Sequence, residues 1–461
     1  MDNAVADVLG APLRVPGRFG DDIVGKRRPQ SPVLIIAPWN VPCGTIVPKL
    51  FVALLCGCHV VVKPSEYAPT SISRMCQTIH RTLVRSGFST DGSVLQLVLG
   101  GAKVGSALVA ACEIRCVQFT GAPKTAANVA SGCAARLKPL LAECGGSNSL
   151  IVCDDADLVG AVRYCAMGLL TLNGQWCMGV SRVLVHHSVR DAFLHALKSY
   201  LRDRVRLMMH ESDIVGSAPV GAAPPPPRTA KGGMDVPAES TVAAAVTLPL
   251  GPLSTDFHAD TLRQAVSFLV ASSSLSRQGG DTDRPPGPSP LVPLVDLQEI
   301  WTRPGPARVA EMKDAGTRCT CTALPHTFFT PVAVLEPDAR LSSVTELFGP
   351  ACSVHSFSTD DDAVRLSNLS PGQLACFVFS RDVERARHIG FQLHTGMVMV
   401  NSANFAMEVG DQSMDVACDF WGSAGVGTDG TGAAVAKFFS KCTWCGVSGS
   451  QDHTGHELSA E

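Results

Sequence analysis

Asn173-Gly174-Gln175-Trp176-Cys177-Met178-Gly179-Val180-Ser181-Arg182 is the stretch around which the rest of the chain falls into order. Asn-Gly is a turn-forming pair, and a β-rich run, Arg182-Val183-Leu184-Val185-His186-His187, follows it. A cysteine on such a turn, at the lip of a strand, is placed to attack an electrophile. A buried core cysteine, one of 18 in the chain, would carry the same local sequence. What else the chain carries decides between them.

Upstream of the thiol is Leu141-Ala142-Glu143-Cys144-Gly145-Gly146-Ser147-Asn148, a carboxylate entering a Gly-Gly turn. Further back is Pro38-Trp39-Asn40-Val41-Pro42, an amide side chain held between two prolines after the strand 33–37. In this order and with these neighbours, the asparagine, glutamate and thiol resemble the aldehyde dehydrogenase superfamily. The resemblance runs from about Pro29 to Lys441, interrupted by two long inserts. Each motif alone is weakly specific, and five or six in order are strongly so.

A chain of 461 residues is too long for one simple core and implies two or three domains. Its 46% apolar content fits a globular protein with large buried sheets. A net charge of −3 gives no reason to expect nucleic acid or an anionic membrane as partner. The apolar run from Leu50 to Val62 contains His59 and is bracketed by Lys49 and Lys63, too short to span a bilayer. Cysteines this numerous without a small secreted framework point to a reducing compartment, and no targeting signal is read at either end, so a cytoplasmic location is expected. The Cys56-x-Cys58, Cys319-x-Cys321 and Cys442-x-x-Cys445 pairs lack a second pair at finger-like spacing, so no metal is expected.

Taken in order, residues 1–28 hold no long periodic segment, and Pro12–Gly17 reads as an edge strand or hairpin. From 29 to 145 short β-rich runs at 33–37, 60–63, 94–99 and 116–119 alternate with helical stretches near 45–57, 70–86, 103–111 and 123–135. Such alternation argues for a parallel sheet with crossover helices, which binds ligands at the carboxyl ends of its strands. Asn40, Lys63 and Gly121 fall there. A strand at 149–152, a helix from Asp157 capped by Asp154 or Asp155, the cysteine turn, a strand at 182–187 and a helix at 189–206 follow. Residues 211–247, with four consecutive prolines, and 272–325, rich in Ser, Gly and Pro, read as irregular inserts. After them come strands at 327–335, 351–357 and 374–379, helices at 360–368 and from Val383, and Gly396–Asn401.

The resemblance implies an α/β fold with a Rossmann-type cofactor domain (29–145), a catalytic domain (146–400), a residual hairpin that pairs subunits (1–28) and a C-terminal segment (401–461). It implies a homodimer or homotetramer and a small-molecule aldehyde as substrate. Cys177 corresponds to the nucleophile, Glu143 to the base, and the Asn40 amide with the Cys177 N–H to the oxyanion donors. Lys63 and Glu66 correspond to the pair that holds the adenosine ribose hydroxyls, and a carboxylate there repels a 2′-phosphate, favouring NAD over NADP. Glu346 in Thr345-Glu346-Leu347-Phe348-Gly349-Pro350 corresponds to the carboxylate on the nicotinamide ribose, and Phe348 to the ring that limits its movement. Trp39, Ser65, Gly121, Ala122, Cys144 and Gly145 complete the implied cofactor site.

Four departures stand beside the resemblance. Ala122 replaces a usual serine, costing a helix cap and a phosphate donor worth about 1 kcal/mol. Pro371-Gly372-Gln373-Leu374 differs from a usual tyrosine-glycine-leucine, and Asp415–Gly422 replaces the loop that shapes the aldehyde tunnel. The segment that normally precedes the hairpin and helps cover the cofactor domain is missing, so an exposed apolar patch is expected there. Besides a hydrolytic dehydrogenase, the chain is compatible with a CoA-acylating relative, which often lacks the glutamate, and with a non-catalytic binding or structural relative.

Overall fold

The computed structural model describes residues 13–16, 22–88, 93–207, 248–251, 253–275, 289–296, 326–402 and 439–446. The expected insert 211–247, most of 272–325, the 415–422 loop and residues 423–427 lie outside the described residues. Two compact units divide the chain: residues 1–143 with 412–461, and residues 144–411.

In the first unit, β1 (Leu13–Pro16), within the stretch read as an edge strand or hairpin, pairs antiparallel with β2 (Asp22–Pro29), which was not read as a strand. The strand Ser440–Gly446 pairs antiparallel with β2, Ser440 opposite Pro29 and Gly446 opposite Ile23. A separate sheet has the order β5-β4-β3-β6-β7, with β3 (Val33–Ile36), β4 (Val60–Lys63), β5 (Leu95–Leu97), β6 (Cys116–Gly121) and β7 (Leu140–Cys144). β3 pairs in parallel with both β4 and β6. The crossovers are α1 (Pro42–Leu55), α2 (Pro69–Arg85), α3 (Ala102–Ala110) and α4 (Pro123–Ala134). α1, α2 and α4 each open on a proline, whose fixed φ suits the first helical turn. β7 is not among the expected strands. Pro139 before it and Gly145-Gly146 after it make five residues look like the arm of a turn.

One face of this sheet packs Val33, Ile35, Val60, Val62 and Cys116 against Ile46, Leu50 and Ala53 of α1 and Ile72 and Cys76 of α2. On the other face Leu34, Val117 and Phe119 are buried too, and α3 and α4 pack on β3 and β6. Both faces are covered, which is why the strands read as continuous apolar runs. The expectation that these strands lose cover is therefore corrected. Exposed apolar surface exists, but on helices: Phe51 and Leu55 of α1 and Phe88 after α2, with Leu54, Ile79 and Leu83, line a groove of about 370 Å³. The strand order reverses between β3 and β6, so their carboxyl ends open onto the switch point of the sheet, where such folds hold ligands.

The second unit runs β8 (Ser149–Val152), α5 (Leu158–Leu170), β9 (Arg182–His186) and α6 (Arg190–Arg204). A small parallel pair, β10 (Val205–Leu207) with β11 (Leu248–Leu250), precedes α7 (Asp256–Leu275). Then come β12 (Leu291–Pro293), β13 (Val332–Leu335), α8 (Ala339–Val344), β14 (Ala351–Phe357), α9 (Asp360–Ser367), β15 (Ala375–Phe379), α10 (Val383–Phe391) and β16 (Met397–Val400). The sheet order is β12-β13-β14-β9-β8-β15-β16, parallel throughout except for β12 at the edge. The block read as irregular from 272 thus supplies the end of α7 and an edge strand. Its prolines at 290 and 293 are tolerable only at an edge.

Side chains alternate across this sheet. Leu150, Val152, Val183, Val185 and Phe377 pack with Cys165 and Leu169 of α5 and Phe193 and Leu197 of α6. Ile151, Leu184, Cys376 and Val378 pack with Ala363 of α9 and Ala386 and Ile389 of α10. The cap of α5 is Asp157 itself, which accepts from the N–H groups of Val159 and Gly160. Asp154 instead pairs with Arg385, and Asp155 accepts from Ser380 Oγ, because a capping side chain must stand directly before the first turn. No described helix is long and apolar enough to cross a membrane.

Candidate active site

In the first unit the candidate residues stand at strand ends. Asn40, half-buried, lies between β3 and α1. Two turns further on, Lys49 is 1% exposed in an otherwise apolar stretch of α1, and its ammonium donates to Glu143 Oε2 of β7 at 2.6 Å. Thr120 Oγ1, at the end of β6, donates to the same oxygen at 3.3 Å and accepts from Gln118 Nε2 at 2.8 Å. Glu143 Oε1 is buried and has no hydrogen-bond partner among the described residues. A carboxylate so deep is tolerable only because the ammonium compensates its charge. Lys49 was missed from the sequence, although a lysine inside Ile46–Leu50 is a signal that something must pair with it.

At the end of β4, Lys63 is buried, donates to the Pro64 carbonyl and has its pKa lowered by burial, an effect that Glu66 opposes. Glu66 is exposed and lies against Gly101, the residue before α3. A Cβ at 101 would sit 2.1 Å from Glu66 Oε2. Ser65 Oγ accepts from the Tyr67 N–H. Gly121 ends β6, and a Cβ there would meet the Phe119 ring at 2.7 Å. Ala122 is the N-cap of α4 and gives no side-chain cap bond. An exposed carboxylate seated on a glycine at the start of α3 could hold the ribose of a dinucleotide.

In the second unit, Cys177 is half-buried on a turn under backbone strain. Leu172, Asn173 and Gly174 have φ of 52°, 58° and 72°. Left-handed conformation is unfavourable for leucine, and such strain persists only where surroundings over-determine it. Here they do: Asn173 Oδ1 accepts from the Gly251 N–H, Gln175 Oε1 from the Ser254 N–H, and Trp176 Nε1 donates to the Gly168 carbonyl. A Cβ on Gly174 would lie 2.3 Å from the Gly349 carbonyl.

Buried Cys144 leads into Gly145 and Gly146. A Cβ on Gly145 would lie 2.0 Å from Glu346 Oε1, and one on Gly146 would lie 2.1 Å from the Gly372 carbonyl. Gly146 is thus required by the approach of backbone, whereas a side chain at 145 would have to displace the Glu346 carboxylate. Burial raises the Glu346 pKa to about 7, opposed by the Gly146 N–H. Phe348 is half-buried two residues on.

Arg182 is 1% exposed, and its guanidinium donates to the carbonyls of Ser147, Leu366 and Ser367 and to Gln373 Oε1. Its role is structural, and burial lowers its pKa to about 10. Gln373, read only as a departure, is an acceptor for that charge and for Ser149 Oγ.

A model of the aldehyde dehydrogenase family matches residues 10–218 and 306–444, well over half of the chain. The chain belongs to the aldehyde dehydrogenase family. It is 29% identical over 388 residues to betaine aldehyde dehydrogenase 2 of Rhizobium meliloti, covering 84% of this chain and 64% of that protein. This aldehyde dehydrogenase family member thus spans less than two thirds of that relative's length. Its fold is similar to that of a Staphylococcus aureus betaine aldehyde dehydrogenase variant solved with NAD+ (TM-score 0.68, 22% identity, 98% of this chain and 76% of the other). It is similar also to glyceraldehyde-3-phosphate dehydrogenase GapN of Methanocaldococcus jannaschii, solved with NADP (TM-score 0.68, 19% identity, 96% of this chain and 79% of the other).

Proposed function

We propose that the chain oxidises a small aldehyde to its carboxylic acid through a covalent intermediate on Cys177. Attack by the Cys177 thiolate on the carbonyl carbon gives a tetrahedral thiohemiacetal. The Asn40 amide and the Cys177 N–H stabilise its oxyanion, each such donor being worth about 3–4 kcal/mol in the transition state. A bound nicotinamide dinucleotide supplies the hydride acceptor, and loss of hydride leaves a thioester on Cys177. Glu143 then takes a proton from the water that releases the acid.

The observation that carries the proposal is the Lys49–Glu143 pair. It holds a buried carboxylate by Oε2 and leaves Oε1 as an acceptor without a partner among the described residues. A glutamate base suits release by water rather than by CoA. Glu66 on Gly101 would accept from a ribose 2′-hydroxyl and repel a 2′-phosphate, favouring NAD over NADP. Lys63, Ser65, Trp39, Gly121 and Ala122 would line the same nucleotide, and Cys144, Gly145, Glu346 and Phe348 its nicotinamide end. The proposal extends to residues 29–145 as cofactor domain and 146–400 as catalytic domain, in a cytoplasmic homodimer or homotetramer. A second proposal, a role without turnover, is favoured by Ala122, which gives α4 no side-chain cap and the cofactor phosphates one donor fewer.

NADH absorbance over betaine aldehyde and the glutarate and succinate semialdehydes tests the choice, those being substrates in relatives' names. Cys177→Ala should abolish turnover and leave NAD binding intact. Glu143→Gln should give one equivalent of NADH and then stall. Cofactor binding with no NADH from any aldehyde would support the second proposal, and unchanged turnover in Glu143→Gln would remove the base assignment.

A further inference from the structure

Asn148 lies between the Gly-Gly turn and β8, 1% exposed, and uses every polar position of its side chain inside the second unit. Its Nδ2 donates to the Cys177 carbonyl at 2.8 Å and to the Gly179 carbonyl at 2.9 Å. Its Oδ1 accepts from the N–H groups of Leu374 and Ala375 at 3.0 and 3.1 Å. The orientation of the amide is unambiguous, because carbonyls only accept and N–H groups only donate. Its main-chain carbonyl accepts from the N–H groups of Ser181 and Arg182 at 3.2 and 3.0 Å. One residue thus ties the turn 177–179, the start of β9 and the start of β15.

We propose that Asn148 is a positioning residue that sets the direction of the Cys177 thiol. The inference rests on Cys177 being the nucleophile. Holding the carbonyls of Cys177 and Gly179 removes rotation on both sides of Met178. Fixing the Cys177 carbonyl also fixes ψ at Cys177, and with it the direction of Cα–Cβ and of the Cys177 N–H. The nucleophile and one oxyanion donor are therefore set by a single amide that touches neither substrate nor cofactor. Of side chains this size, only a neutral carboxamide has two donors on one side and an acceptor of two bonds on the other. Aspartate keeps the link to Leu374 and Ala375 and loses both donors to the cysteine turn.

The test uses the full chain with Asn148→Asp, with Asn148→Ser carrying it if the aspartate variant does not fold, and with Cys177→Ala as control. Three quantities are read: kcat and KM with NAD and the best aldehyde, the rate of Cys177 alkylation by iodoacetamide followed by peptide mass, and the melting temperature. The expected result is a kcat lower by about a hundredfold with the KM for NAD unchanged. The alkylation rate at Cys177 should also depart from wild type by about tenfold or more. A lower melting temperature with wild-type kcat and alkylation rate would overturn the proposal, because a merely structural asparagine gives that result. Activity retained in Cys177→Ala would instead remove the nucleophile assignment, and the alkylation rates would still decide whether Asn148 directs the thiol.

Discussion

Replacing Lys49 by methionine keeps most of the volume of the side chain and removes its charge. Among the described residues, the Glu143 carboxylate is then left with Oε2 bonded only to Thr120 and Oε1 to nothing. Lys49 is 1% exposed and Glu143 5%, so little solvent screening intervenes across the 2.6 Å contact. Removing one partner of a buried pair costs about 3–5 kcal/mol, a large part of the roughly 5–15 kcal/mol that holds a protein folded. Replacing both, Lys49→Met with Glu143→Leu, leaves no uncompensated charge and should recover most of the loss. Urea unfolding followed by circular dichroism measures each variant, and the double-mutant cycle gives the coupling. A single variant within 1 kcal/mol of wild type would show that water already reaches the pair, contrary to its burial.

Two buried titrating groups should oppose one another in the second unit. Glu346, raised from 4.5 to about 7, holds a proton that the unfolded chain has released, so its contribution makes stability fall as pH rises from about 4.5 to 7. His355, lowered by burial and by Arg182 from 6.5 to about 4, resists a proton that the unfolded chain accepts, so stability falls as pH drops from 6.5 to about 4. Each is worth about 3 kcal/mol at most. Melting temperatures against pH should therefore slope upward between 4.5 and 6.5 in Glu346→Gln and downward in His355→Gln; parallel profiles would refute both assignments. Gly174→Ala, at φ 72° against the Gly349 carbonyl, should cost about 2 kcal/mol or more in urea unfolding; a neutral result would mean the turn relaxes freely. Glu66→Ser should raise the kcat/KM ratio of NADP to NAD at least about tenfold, and an unchanged ratio would separate Glu66 from the ribose.

The parallel-sheet architecture was legible because strands covered on both faces read as apolar runs that alternate with helical stretches. β7 was not, since five residues between Pro139 and Gly145 carry too short a pattern to separate from a turn. The positions of Asn40, Glu143 and Cys177 at strand ends and turns could be read from local punctuation. Their partners could not: Lys49 lies 94 residues from Glu143, and Asn148 lies 29 from Cys177 and 226 from Leu374. Such pairs become neighbours only when crossovers lay distant strands side by side. Gln373 shows the same limit from the other side, since its value lies in an arginine brought to it by the order of β9, β8 and β15.

The pairing of β2 with Ser440–Gly446 has a consequence for the growing chain on the ribosome. Gln30 N–H reaches the Phe439 carbonyl, Cys58 Sγ bonds to the same oxygen, and the fully buried Phe439 ring belongs to the core between the parallel sheet and α1. That ring and strand are synthesised roughly 20–80 seconds after β2 at ordinary elongation rates. For that interval β2 presents an open edge, the kind that recruits other strands, and every described strand of the second unit is made within it. Nascent chains halted before residue 439 should therefore bind holdase chaperones through the 22–29 edge, and chains extended past residue 446 should release them.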